Sequence, residues 1–368
     1  FGLFLRDLQS EDIIVSHFND DIYYLAIYNP YGNHNVDAVY RKIGQRTEQP
    51  FQMMGNIEQK ITVSIGVANY PESARNSLEI INCAEIVQSQ KKESGTNSIA
   101  YFEAPILTDF IENIQMENKL KDAIEDHAFE LYYQPQYDAG SKKLRGVEAL
   151  IRWRGQDGKF VSPAVFIPLA EKDGLIVQIG NWVLEEGIRA YADWYRKYEY
   201  PMVLSLNISA LQYKKADFVH HLLMLIEKYQ VDPALIELEI TESVLIEDFN
   251  SVVDKLNTLK EYGIKISLDD FGTGFSSLSY LKGLPIDTLK IDKSFIDTVI
   301  NDHPTRVITE SIIAMVKKLG CETVAEGVET QEQYDYLKAV NCDNIQGFLL
   351  GKPMPAEGVE KILSSIKN

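Results

Sequence analysis

The sequence predicts an α/β protein whose larger part is a closed (β/α)8, TIM-like barrel with one antiparallel strand, preceded by a smaller α+β region. Three observations carry this expectation. Eight short apolar runs recur between residues 129 and 350, and amphipathic helices separate most of them. The whole alternation fills roughly 250 residues, the usual length of such a barrel. The first two runs are joined only by a turn, which sets one strand against the rest. A doubly wound open sheet shares the alternation, so strand count alone leaves both architectures open.

The runs in order are FELYYQPQY, VEALIRW, MVLSLNIS, IELEIT, IKISLDD, DTLKID, CETVAEG and a weaker NIQGFLL. Helical spacing marks PAVFIPLAEKDG, QIGNWVLEEGIRAYADWYRKY and TRVITESIIAMVKKLG between them. The turn between runs one and two is DAGSKK. Upstream, Leu107, Phe110, Ile111, Ile114, Leu120, Ala123 and Ile124 define a further helix. Before it lie two strand-like runs, DIYYLAIYN and KITVSIGVANY, and a helix-like SARNSLEIINCAEIVQSQKK. The expected organisation is an α+β domain over 1–104, a helical linker over 105–116 and the barrel over 117–368.

With 368 residues and 45% hydrophobic content the chain can bury a sizeable core. A net charge of −18 argues against a grip on polymeric nucleic acid, which needs a basic surface. It leaves room for a small anionic ligand if metal ions supply positive charge locally. The absence of an 18-residue apolar span or cleavable leader predicts no membrane contact from this segment. Cys83, Cys321 and Cys342 are odd in number and widely spaced, as expected for reduced thiols in a cytoplasmic protein. His220 and His221 point in different directions on a helix and suit a solvated face better than a metal. The opening at Phe1, inside an apolar helix-like stretch, predicts that the native protein extends upstream.

In a barrel the active site lies at the C-terminal strand ends. Run two supplies Glu148 and Arg152, run three Asn207, and run four Glu239 and Glu242. Run five adds Asp269 and Asp270, run six Lys290 and Asp292, run seven Glu326 and Glu329, and run eight Gln346. Any one of these can be a hydrophilic residue where a strand meets water. Together they are mostly carboxylates and amides aimed at one mouth, and packed carboxylates repel unless cations join them. Oxygen-rich groups suit Mg2+ or Mn2+ rather than zinc. Two ions sharing a carboxylate can activate water and stabilise the leaving oxygen of a phosphodiester, with lysine orienting or deprotonating that water. Adjacent Asp269 and Asp270 suit the bridging and second-ion roles. A glycosidase needs only two carboxylates, and the surplus here ranks that alternative lower.

The chain resembles the EAL family of cyclic di-GMP phosphodiesterases over about residues 117 to 366. The resemblance rests on YYQPQY, GVEALIRW, FIPLAE, LNISA, ELEITES, SLDDFGTGFSSL, LKIDKSFI, VAEGVET and NIQGFLLGKPM, in that order. It implies a first metal site from Glu148, Asn207, Glu239 and Asp269, with Asp269 bridging, Asp270 on the second ion and Glu326 beside it. It implies that Lys290 contacts the hydrolytic water and that Glu242 holds the loop after Asp270. Gln134, Arg152 and Gln346 match substrate-binding positions, Gln346 on the last strand, and Glu329 matches a supporting position. The implied reaction opens cyclic di-GMP to linear pGpG with two Mg2+ or Mn2+ ions. The alternative is a catalytically silent receptor for the same ligand. The resemblance also implies a homodimer through the barrel, because in that family the loop beginning at Asp269 lies near a dimer interface.

Residues 1–104 resemble the later part of the GGDEF diguanylate cyclases in degraded form, through ITVSIGVANYPES and KKESGTNSIAYF. Phe18-Asn19-Asp20-Asp21-Ile22 stands where Gly-Gly-Asp-Glu-Phe is expected, so the backbone freedom that glycine gives near phosphates is gone. Gln9-Ser10-Glu11-Asp12 lacks the arginine of the R-x-x-D inhibitory motif. The resemblance implies a scaffold or regulator rather than a working cyclase.

Overall fold

The computed structural model describes residues 1–19, 21–28, 36–53, 57–74, 76–92, 97–245, 249–272, 281 and 283–367. The chain forms two compact units, Phe1–Gln115 and Met116–Asn368, and the division falls within the helix Ala104–Glu125. No helix among the described residues is long and apolar enough to cross a membrane.

The first unit is α+β. Strands Ile13–Asn19 and Ile22–Ile27 pair in antiparallel fashion, and Asp20, between them in the sequence, lies outside the described residues. Ser64–Val67 pairs in parallel with Ser98–Tyr101, and the helix Ser77–Lys92 makes the crossover that parallel pairing requires. Gly66 lets this helix sit against the strand, since a Cβ there would lie 1.9 Å from the Ala84 carbonyl oxygen.

Eight strands among the described residues form the barrel of the second unit: β1 (Phe129–Asp138), β2 (Leu144–Arg154), β3 (Val203–Ile208) and β4 (Ile236–Thr241). β5 (Lys265–Phe271), β6 (Thr288–Ile291), β7 (Glu322–Ala325) and β8 (Asn344–Gln346) complete it. The hydrogen-bonded order runs from β3 through β8 to β1 and β2, and β2 pairs with β3 to close the barrel. Closure excludes the open sheet. β1 runs antiparallel to both β2 and β8, as the short turn between the first two runs predicts, and the remaining barrel pairs are parallel. A further two-residue strand, Phe160–Val161, pairs with the end of β2.

Side chains alternate across each strand, so residues two apart share the barrel interior. In β4 the pair Glu237 and Glu239 shares one face, and Ile236, Leu238 and Ile240 are buried on the other. The helix Ile176–Tyr198 shows how the outer layer packs. It buries Ile179, Val183, Leu184, Ile188 and Tyr191 along one stripe, and Tyr191 donates its hydroxyl to the Met202 carbonyl just before β3. Glu199, in the left-handed conformation, ends that helix.

Candidate active site

Strands β1 to β6 and β8 place polar groups at the same end of the barrel, and Glu326 follows β7 directly. Parallel register sets Asn207 beside Glu239, and antiparallel register sets Gln134 opposite Glu148. Glu148 is 4% exposed, Glu239 1% and Lys290 1%, a depth at which unpaired charge is costly. Lys290 Nζ offsets part of that cost and sits among four carboxylates at once. It lies 2.7 Å from Glu239, 2.7 Å from Glu326, 3.3 Å from Asp269 and 3.4 Å from Glu148.

Glu148 is further held by amides. Asn207 Nδ2 donates to its Oε1 at 2.7 Å, and Gln346 Nε2 donates to its Oε2 at 2.6 Å. Burial alone would raise Glu148, but Lys290 and these two donors outweigh it and hold the carboxyl below its usual range. Glu239 goes the other way: burial and the charge of Glu148 push it well up. Burial pushes Glu326 up to about 8 against the opposing pull of Lys290. Burial would lower Lys290, yet the surrounding carboxylates, Asp269 foremost, raise it well above an ordinary lysine.

Adjacent residues on a strand point to opposite faces, so Asp269 and Asp270 would not normally share a site. The ladder between β5 and β6 slips between Leu268 and Phe271, and Asp270 takes a left-handed φ of 54°. This irregularity brings oxygens of Asp269, Asp270 and Glu326 within 4.8 Å of one another. Partial burial and the neighbouring Asp269 push Asp270 up. Gly272 follows at φ 101°, and its N–H donates to Glu242 Oε1 at 3.2 Å. Residues 273–280, the end of the SLDDFGTGFSSL motif and the residues that follow it, lie outside the described residues.

The donors fit divalent cations. Glu239 Oε1 is buried with no hydrogen-bond partner among the described residues, a costly state for a carboxylate oxygen that a cation would relieve. The cluster is oxygen-rich, and one oxygen from each of three carboxylates already converges at the mouth.

The remaining sequence candidates divide. Arg152 is on β2, donating Nη1 to the Ile151 carbonyl at 2.8 Å, with its guanidinium 5.7 Å from the Tyr132 ring centre. Gln134 accepts from Gln346 Nε2 at 3.2 Å and donates to the Gly351 carbonyl at 3.2 Å. Glu329 pairs with Lys293 at 2.5 Å, and Asp292 accepts the Ser294 N–H as a helix cap. Both contacts are local, an ion pair for Glu329 and a capping bond for Asp292.

Sequence reasoning missed a polar layer one step deeper. Arg145 clamps Glu237 with Nη1 at 3.0 Å and Nη2 at 2.7 Å, and Ser205 and Thr288 also donate to Glu237. Glu237, Ser205 and Thr288 each precede a site residue by two, a signal present in the strand parity. Arg145 has the wrong parity to face inward beside Glu148. A register shift opposite Gln136 and Tyr137 turns it in.

The fold and site together define a (β/α)8-barrel protein with a buried acidic mouth. Residues 117–353 match the family model of the EAL domain, and the chain belongs to that family. It is 38% identical over 332 residues to the signaling protein YkoW of Bacillus subtilis, covering 90% of this chain and 41% of that protein. It is also 38% identical over 325 residues to the bifunctional diguanylate cyclase/cyclic di-GMP phosphodiesterase MucR of Pseudomonas aeruginosa, covering 88% of this chain. The chain spans 47% of that second relative. A solved structure of the PaMucR phosphodiesterase in complex with c-di-GMP aligns with a TM-score of 0.64 and 41% identity, covering 67% of this chain and 99% of that one.

Proposed function

We propose that this chain hydrolyses one phosphodiester bond of cyclic di-GMP to give linear pGpG, within a second-messenger signalling system. The observation that carries the reading is the ring of four carboxylates around Lys290, with one buried Glu239 oxygen left without a partner among the described residues. The names of the relatives, which include a cyclic di-GMP phosphodiesterase, support the substrate.

Glu148, Asn207, Glu239 and Asp269 would hold one Mg2+ or Mn2+ ion, and Asp269, Asp270 and Glu326 a second. When bound, such ions supply Lewis acidity and positive charge for a phosphodiester, which offsets the repulsion an acidic mouth would otherwise exert. Lys290 stays charged and offers Nζ donors at the centre, where they orient the attacking water. Glu326 lies 2.7 Å from Lys290 Nζ, so the lysine also holds this carboxylate at the mouth. Glu242 anchors the Gly272 N–H and thereby the exit of β5. Arg152 offers positive charge to a substrate phosphate, and Gln134 and Gln346 bind and orient through their amides.

The first unit is read as a scaffold or regulator, and the barrel as a homodimer. Glu148→Ala should abolish pGpG formation in Mg2+ or Mn2+. Unchanged product formation by that variant would remove Glu148 from the ligand set, and binding of cyclic di-GMP with no product from the parent would favour a receptor.

A further inference from the structure

A buried chain of side-chain hydrogen bonds runs from the missed polar layer to Glu148. Arg145 Nη1 donates to Gln136 Oε1 at 2.6 Å, Gln136 Nε2 donates to Gln346 Oε1 at 2.9 Å, and Gln346 Nε2 donates to Glu148 Oε2 at 2.6 Å. Gln136 is 0% exposed and Gln346 4%, so water does not offer either amide a substitute partner. Gln136 and Gln346 face each other across the antiparallel β1–β8 pair.

The two ends of this chain have fixed chemistry. A guanidinium only donates and a carboxylate only accepts. Two amides between such ends satisfy all three hydrogen bonds in one polarity alone. Arg145 is itself locked by its two-pronged pairing with Glu237 and by donation to Thr288. We infer that Arg145 and Gln136 are positioning residues: they set which end of the Gln346 amide faces Glu148 and so orient that carboxylate for its role at the mouth. This inference rests on the proposed function for the importance of Glu148, but the hydrogen-bond polarity is independent of it.

Gln136→Glu separates polarity from packing. The shape is kept, but the new carboxylate cannot donate, so Gln346 must turn its carbonyl toward one of two carboxylates. Added negative charge by itself would tighten cation binding, and packing by itself would leave it unchanged. The inference predicts the opposite: Mn2+ affinity by calorimetry falls about 10- to 100-fold, as for loss of other residues that orient ligands. Gln136→Met leaves Gln346 free to keep its bond to Glu148 and should weaken Mn2+ binding less than Gln136→Glu does.

The second readout uses the full chain with 15N-labelled glutamine in chelator, the Gln346 side-chain amide being assigned by its loss in Gln346→Met. Its signals should be slow to exchange in the parent and displaced in Gln136→Glu. Should Gln136→Glu fail to fold, Arg145→Met combined with Glu237→Met replaces the buried pair by apolar chains of similar length. The Gln346 amide should then show two sets of signals or exchange broadening. Unmoved Gln346 signals in whichever variant folds would overturn the inference, as would Mn2+ affinity in Gln136→Glu equal to or tighter than the parent's. The amide spectrum needs neither metal nor turnover, so a parent that binds no Mn2+ would overturn the proposed function while the spectrum still decides the polarity.

Discussion

Lys290→Met tests the electrostatic core of the site. The lysine is 1% exposed, with four carboxylates within 3.4 Å of Nζ. Removing one partner of a buried ion pair typically costs about 3–5 kcal/mol, because the remaining charge is left uncompensated. Protonation of Glu239 and Glu326, both already raised, would absorb part of the loss and place it toward the lower end of that range. The three tryptophans, Trp153, Trp182 and Trp194, all lie in the barrel unit, so urea unfolding followed by tryptophan fluorescence reports on that unit. In chelator the variant should be less stable by about 3 kcal/mol or more. Removal of the competing ammonium should also tighten Mn2+ binding about tenfold, which returns about 1.4 kcal/mol of the stability gap in excess Mn2+. Turnover should nevertheless fall about 10²- to 10⁴-fold, the usual loss for a group that orients or transfers a proton. A variant as stable as the parent in chelator, or one that binds Mn2+ more weakly, would refute this account of Lys290.

Glu326 gives a pH test. Its folded pKa of about 8 exceeds the ordinary glutamate value of 4.5, so between these the folded chain holds more protons than the unfolded chain. Stability in chelator should therefore fall as pH rises from 4.5 to 8, and urea midpoints of Glu326→Gln should show a shallower fall than those of the parent. Gly272→Ala should destabilise the barrel by about 1–2 kcal/mol, since φ is 101° and a Cβ would lie 2.7 Å from the Phe295 ring. Equal urea midpoints for that variant and the parent would contradict the strain. Glu242→Ala, which removes the acceptor of the Gly272 N–H, should lower turnover with little change in urea midpoint. An unchanged rate would show that the anchoring of β5 is dispensable.

Strand count and the residues at strand ends were legible because parity and polarity both leave marks in the sequence. An apolar run such as IELEIT places Glu237 and Glu239 two apart, so both fall on one face of a strand. The antiparallel β1 was legible because DAGSKK is too short for a crossover. Closure itself was not, since it depends on β2 meeting β3 across the helices that lie between Arg154 and Val203. Local backbone irregularity hid the rest. Asp269 and Asp270 share a site only through the slip after Leu268, and Arg145 turns inward only through the shift at Gln136. Gln346 was read as contacting substrate, and its direct bond to Glu148 depends on a β1–β8 register that no single strand discloses.

The central claim is hydrolysis at a cation-loaded mouth. The most direct measurement incubates the purified chain with cyclic di-GMP in Mg2+, in Mn2+ and in chelator, and separates substrate from products by chromatography. The account predicts linear pGpG in the presence of either ion or both, and none in chelator. Retention of bound cyclic di-GMP with no pGpG under every metal condition, or product formation unaffected by chelator, would contradict it.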